Sequence, residues 1–387
     1  MKPLILHISG DYPDQITLDK TRAIAALVEG SSAHFEHRVY SLNRVHNPRA
    51  WLRPGMVRSA ADNGALASWE YAAPPGGIWL RQAMERVADQ IILDVRQRGL
   101  RPGAVHGHKL SIEGLAAKRV AEALGIPFLL TLQGNTDQKI ITARRDLRAS
   151  YRSVWQSAAQ VVAFAPWIAK WCETELGQRS GPLEFLPCMP VSDVIMPPSP
   201  TGPRIVTAFN FNDWRNKNIR TLAQACQLIR PAFPGAVLEI AGSGSAAAQR
   251  SVNQALSSAG IAGWTSCIGQ LPGNAIQAWM NQAAVFVLPS RRESFGMVFI
   301  EALLAGTPII YPRGAAVDGY FDDAPFAIAV EAGNARSVAD ALETMLAQNH
   351  ECKAALARWQ ASSAAQRFTG ESILSRYTAI TKAALHV

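Results

Sequence analysis

The chain has 387 residues, a net charge of +8, 48% hydrophobic and 18% charged residues. That length exceeds one ordinary core and suits two domains, and the composition excludes wholesale disorder. No apolar run is long enough to read as a membrane span, and the basic excess is spread over both halves.

The opening stretch Lys2-Pro3-Leu4-Ile5-Leu6-His7-Ile8 is too short and too soon polar for a signal peptide, so it reads as a first strand. Strand-like apolar runs follow at 35–42, 104–106, 128–132, 161–165 and 183–186, separated by helical segments. Residues 43–78, rich in Arg, Pro, Gly and Trp, read as a long loop with short helical pieces. The second half repeats the rhythm with runs at 205–209, 237–241, 266–268, 285–288, 308–311 and 326–330. This alternation predicts an α/β protein with one doubly wound parallel sheet per half. Met196-Pro197-Pro198-Ser199-Pro200-Thr201-Gly202-Pro203 is the clear linker, giving domains over 1–197 and 204–371 joined by 198–203. Five scattered cysteines without a C-x-x-C pair point to reduced thiols, a cytoplasmic setting and no metal site.

The densest signal runs from Ser290 to Pro312. A buried strand leads into a polar loop and an apolar helix from about Gly296, which Gly306 and Thr307-Pro308 end. The backbone N–H groups of Ser294, Phe295, Gly296, Met297 and Val298 would then point toward an anion at the positive end of the helix. Glu293 beside them suits sugar hydroxyls. Glu301, two turns along an apolar helix, needs a polar partner such as a ribose diol if buried. Either acid alone would read as a capping or solvated residue.

The segment E-S-F-G-M-V-F-I-E-A-L-L-A-G-T-P, residues 293–308, resembles the E-x7-E signature of retaining GT-B glycosyltransferases, especially glycosyltransferase family 4. The resemblance implies two Rossmann-like domains facing across a cleft, with the final helix, 372–385, packing back on the first. It gives Glu293 to the donor sugar and Glu301 to the nucleotide ribose. Gly10 would approach donor phosphate. Asp11 would orient an acceptor hydroxyl or simply form the turn. Residues 43–78 match no motif, and as a long loop they are a natural place for acceptor recognition. Val105-His106-Gly107-His108 resembles the family's His-rich strand end. Two histidines at that spacing make a poor metal site, so their role reads as structural, with His108 on the acceptor side. Gln133 stands where family members carry a donor-contacting His, and an amide cannot titrate near neutral pH. Lys217 matches the lysine that clamps the donor diphosphate. The matching Arg position holds Asn210 or Asn212, with Arg215 displaced toward the lysine.

Gly242-Ser243-Gly244 follows a strand and has the spacing of a dinucleotide fingerprint. That motif needs an acid about 20 positions on, and none occurs between Glu239 and Glu293. It resembles instead the family's Gly-x-Gly element lining the donor site, while Gln270-Leu271 resembles the loop framing the base. Lys139, Arg144, Arg145, Arg148 and Arg152 form a basic cluster that reads first as a solvated helix face and second as a surface for anionic lipid. No nucleic-acid motif accompanies it.

The expectation is a metal-independent, retaining glycosyltransferase using a nucleotide-diphosphate sugar and a glycan, lipid-linked or small-molecule acceptor. It would act in the cytoplasm or peripherally on the membrane, in polysaccharide or glycoconjugate synthesis. A sugar-nucleotide epimerase or hydrolase, or a non-catalytic sugar-nucleotide-binding subunit, are the alternatives.

Overall fold

A computed structural model describes residues 2–18, 20–45, 47 and 57–386. The chain divides into two units. Met1–Phe164, Ile168–Met189 and Ile373–Val387 form the first, and Ala165–Trp167 with Pro190–Ser372 form the second.

The first sheet contains β1 (Leu4–Ser9), β2 (Glu36–Val45), β3 (Val57–Asp62), β4 (Leu66–Ala72), β5 (Pro102–Gly107), β6 (Phe128–Leu132), β7 (Gln160–Ala163) and β8 (Leu183–Phe185). Their order is β3-β4-β2-β1-β5-β6-β7-β8. All neighbours pair in parallel except β3 with β4. Helices cover a parallel sheet, so its central strands read as continuous apolar runs; every residue of β6 is buried. The long helix Leu80–Gln97 buries Ala83, Met84, Val87, Ala88, Ile91 and Val95, the three-and-four spacing of one helical face.

The loop expected over 43–78 is corrected in its described part. β3 and β4 form a hairpin there, turning at Asn63-Gly64 with Gly64 at φ +89°. Asn63 Oδ1 accepts from Leu66 N at 2.8 Å, which sets the turn. Buried Arg38 holds the hairpin: its guanidinium lies 2.6 Å from Asp62 and 2.9 Å from Asp94. That bond keeps the Asp62 carboxyl down at about 2. Residues 46 and 48–56 lie outside the described residues.

The final helix, Gly370–Leu385, belongs to the first unit from Ile373 onward. It buries Ile373, Tyr377, Ile380 and Ala384, and Leu374 lies against Gly30 so closely that a Cβ there would clash.

The second sheet contains β9 (Arg204–Ala208), β10 (Val237–Ala241), β11 (Thr265–Gly269), β12 (Val285–Val287), β13 (Ile309–Pro312) and β14 (Ala327–Val330). They run in parallel in the order β11-β10-β9-β12-β13-β14. In such a sheet the direction of winding reverses between the first and fourth strands, here β9 and β12. Loops leaving their carboxyl ends diverge and open a crevice.

The Pro-rich segment is packed into the second unit, and the division falls at Met189/Pro190 instead of within 198–203. Met196 N donates to Leu304 O at 2.8 Å, and Lys353 Nζ donates to Ser199 O at 2.6 Å and Thr201 Oγ1 at 2.8 Å. Gly306, at φ +79°, ends its helix where a Cβ would lie 2.8 Å from Met196 O.

Candidate active site

In the second unit, β9 ends in a loop that becomes the short helix Trp214–Lys217, and β12 ends in the loop before the helix Met297–Leu304. Asn218 fastens these two loops. It sits at φ +60°, a conformation Asn tolerates better than most side chains. Its buried amide donates to Pro289 O at 3.1 Å and to Ala332 O, while Thr221 Oγ1 donates to its oxygen at 2.9 Å. Arg291 N donates to Asn216 O at 2.7 Å, and Asn216 Nδ2 donates to Arg292 O at 3.0 Å.

The clasp brings Lys217 Nζ to within 2.5 Å of Glu293 Oε2. Both side chains keep some exposure, 19% and 16%, so a ligand can reach them. Gly296 supplies the turn into the helix at φ +72°, where a Cβ would lie 2.7 Å from the Phe299 ring. Trp167, one of three residues from 165–167 in this unit, donates its indole N–H to Ser294 O and Ala316 O at 3.1 Å each. Ala316 N in turn donates to Glu293 O at 2.9 Å. The loop carrying Glu293 is therefore held by backbone bonds on two sides. Phe295 is buried edge-on to Tyr320 and serves packing.

Glu301 lies two turns along that helix. Burial pushes its carboxyl pKa up, opposed by the Val191 N–H that donates to Oε1 at 3.2 Å. The partner a half-buried acid needs is thus in part a backbone amide.

Beside the β9 and β10 ends is a cavity of about 390 Å³, lined by Asn210, Gly242, Ser243, Gln270, Leu271 and Val298 among others. That is the size range of small-molecule sites. Gly242 and Gly244 are required for close backbone approach. A Cβ on Gly242 would strike Phe209 O, and one on Gly244 would lie 2.8 Å from Phe211 Cβ. Ser243 Oγ donates to Gln270 Oε1 at 2.8 Å, and Asn210 accepts from Asn212 N at 3.0 Å. Arg215 is not brought to the Lys217–Glu293 pair: it is exposed, with its guanidinium over the Trp214 ring at 4.9 Å.

In the first unit, Gly10, Asp11 and His108 sit where β1 and β5 end, but all three are engaged. Gly10 N donates to Glu113 Oε1 at 2.6 Å, so that amide is already taken. Asp11 pairs with buried Lys109 at 2.6 Å instead of standing free for an acceptor. Burial opposes the Lys109 charge, yet Glu113 and Asp11 outweigh it and hold its pKa up. Burial raises the carboxyls of Glu113 and Asp137, each with one oxygen lacking a hydrogen-bond partner, and Gln133 Nε2 likewise lacks one. Lys109, Glu113 and Asp137 carry no motif. The four-residue spacing of the first two after a strand end was their only signal.

His108 is fully buried, which removes it from acceptor contact. It ends a chain of imidazoles. Ser31 Oγ donates to Leu27 O at 2.7 Å, so it accepts from His37 Nε2 at 3.2 Å. His37 Nδ1 then accepts from His7 Nε2 at 2.9 Å, and His7 Nδ1 from His108 Nε2 at 3.0 Å; these tautomers follow from the hydrogen-bond network. His106 bonds Thr131 Oγ1 at 2.8 Å and Tyr377 OH at 3.1 Å. Ligand atoms of His7, His106 and His108 lie within 4.8 Å of one another, but the facing nitrogens of His7 and His108 are already bonded to each other. The His-rich strand end is thus a buried, hydrogen-bonded cluster.

Residues 202–348 match the family model described as Glycosyl transferases group 1. The chain is 25% identical over 298 residues to a D-inositol 3-phosphate glycosyltransferase of Paenarthrobacter aurescens (strain TC1), covering 71% of this chain and 72% of that protein. Among solved structures, sucrose-phosphate synthase from Thermosynechococcus elongatus superposes with a TM-score of 0.70 at 17% identity, covering 98% of each chain. Anabaena HepE in complex with UDP gives 0.68 at 13% identity, covering 99% of this chain and 100% of that one. The fold is that of GT-B glycosyltransferases, and the match of residues 202–348 together with the Paenarthrobacter relative supports a glycosyltransferase enzyme.

Proposed function

We propose that the protein is a retaining, metal-independent glycosyltransferase of family 4 that moves a hexosyl group from a nucleotide-diphosphate sugar to a hydroxyl acceptor. The observation that carries this reading is the Lys217–Glu293 pair, fixed at the start of the helix that carries Glu301. Lys217 supplies the cation a departing diphosphate needs, without a metal. Glu293 and the helix start receive the donor sugar, Glu301 the ribose, and the cavity by Gln270 and Leu271 the base. UDP is the first nucleotide to test, because HepE was solved with UDP.

In the reaction, the acceptor oxygen bonds to the anomeric carbon on the face from which the diphosphate leaves. The carbon–phosphate oxygen bond breaks, and the acceptor proton passes to the departing phosphate. Peripheral membrane attachment, a cytoplasmic setting and a role in polysaccharide or glycoconjugate synthesis belong to the same reading. A second reading, a non-catalytic sugar-nucleotide-binding subunit, is favoured by Gln133 at the histidine position and by Arg215 lying over Trp214.

Incubation with UDP-sugars, with and without a glycan or glycolipid extract, decides between them. The expected result is UDP release only with acceptor, and a product whose anomeric proton coupling matches the donor's. UDP release or epimer formation from donor alone would point to a hydrolase or epimerase. Tight binding with no turnover on any acceptor would favour the subunit.

A further inference from the structure

We infer that the turn carrying Ile78 and Trp79 in the first unit, together with Lys139 and Arg145, the chain neighbours of the two residues that meet its Gly77, docks on an anionic phospholipid surface. This gives a surface to the peripheral attachment in that reading, and it rests on residues outside the sugar-transfer site, so loss of vesicle binding and loss of sugar transfer are told apart.

Ile78 is 51% exposed and Trp79 45%, directly before the first residue of the helix Leu80–Gln97. Trp79 adopts φ +53°, ψ +22°, a left-handed conformation that glycine takes freely and a bulky side chain resists. Gly76 and Gly77 before it are also at positive φ. A turn that served only to start a helix would do better with a third glycine. The fold instead holds an indole half in water in a strained conformation, and strain of this kind concentrates at functional positions. The turn stands on a rigid base, because the helix behind it is anchored by its buried stripe from Leu80 to Val95.

One member of the basic cluster, Arg144, lies against the same turn. Arg144 donates to Gly77 O and pairs with Asp146 at 2.5 Å, and Gly77 also faces Ile140. Arg148 and Arg152 are occupied with the Glu175 and Leu176 carbonyls. Lys139 and Arg145 are exposed, and among the described residues no ion pair engages either. An amphipathic Trp with an apolar neighbour and flanking cations is the pairing that seats a protein at the headgroup level of a bilayer. No described helix is long and apolar enough to cross a membrane, so this attachment would be peripheral.

The test is co-sedimentation of the full chain with vesicles of equal parts phosphatidylcholine and phosphatidylglycerol, and with phosphatidylcholine alone. Wild type should bind the anionic vesicles and release at high salt. Lys139→Gln with Arg145→Gln should weaken binding roughly thirtyfold, about a factor of five for each cation removed. Trp79→Gly should also weaken it, while leaving the melting temperature unchanged or raising it as the strain is relieved. Absence of binding to anionic vesicles, equal binding to neutral ones, or binding that survives both variants would overturn the proposal. A melting temperature lowered by Trp79→Gly would also overturn it, by showing that the indole serves the fold.

Discussion

Lys217→Ala is expected to lower kcat/KM by about 10²–10³-fold, the usual cost of removing one charge-stabilising group from a transition state. The loss should fall on kcat more than KM, because charge on the diphosphate grows as the sugar–phosphate bond breaks. Stability should change less than activity. Lys217 and Glu293 keep 19% and 16% exposure, so the loss should lie between about 1 kcal/mol, for an exposed pair, and roughly 3–5 kcal/mol, for a buried one. In the unliganded protein Glu293 already faces the lysine at 2.5 Å, so donor binding must exchange one anion for another. Glu293→Gln therefore separates the two roles: it frees Lys217 for the diphosphate while keeping hydrogen bonds to the sugar. Steady-state kinetics alongside thermal melts check both variants. A Lys217→Ala enzyme with wild-type turnover would remove the lysine from the mechanism.

Acid should unfold the first unit in a window set by its histidines. Burial holds His37 at about 4 and His106 at about 3, and it places His7 and His108 well below 6.5; neighbouring histidines add to the effect at His7, His106 and His108, and Lys2 at His37. Above pH 6.5 the folded and unfolded chains both carry these rings neutral, so they add no pH dependence. Below it the unfolded chain takes up protons that the folded chain excludes, and stability falls as pH falls toward 4. Each excluded proton costs up to about 1.4 kcal/mol per pH unit, so four approach about 5 kcal/mol per unit, offset in part by Glu113 and Asp137, whose raised carboxyls take up protons in the folded chain first. Asp14 and Asp62, held at about 2, act in a separate window, their contribution being lost only below about pH 4. Urea midpoints followed from about pH 7 to about pH 5 should drop steeply. A flat midpoint across that range would mean the cluster admits protons or water without unfolding.

The second unit was far more legible in the sequence than the details of the first. Its strands are short apolar runs bounded by Gly and Pro, and the 237–241 run coincides with β10. The 128–132 run in the first unit likewise coincides with β6. The β3–β4 hairpin escapes the apolar pattern although Asn63-Gly64 is a strong hairpin turn signal, because β3 itself is mostly exposed. Its stability comes from Arg38, whose partners Asp62 and Asp94 are 24 and 56 residues away. Pairings at that range leave no local trace.

The same limit governs the candidate site. The spacing of Glu293 and Glu301 marks one helix, and the sequence around it was enough to single them out. Lys217 was matched by its own loop, but its contact with Glu293 depends on Asn218, whose bonds reach Pro289 and Ala332. Gly10, Asp11 and His108 sit at informative strand ends, yet their partners Glu113, Lys109 and His7 come from other segments. Gly244 carries the pattern of a ligand loop and serves backbone packing against 211–212.

The measurement that tests the central claim most directly is calorimetric titration of UDP, GDP and ADP into the wild-type protein and into Glu301→Gln. The account predicts saturable binding of one nucleotide, weakened roughly tenfold or more when the ribose loses a charged acceptor. Wild-type affinity in the variant would take Glu301 out of the site. No binding of any nucleotide to the wild-type protein would contradict the account as a whole.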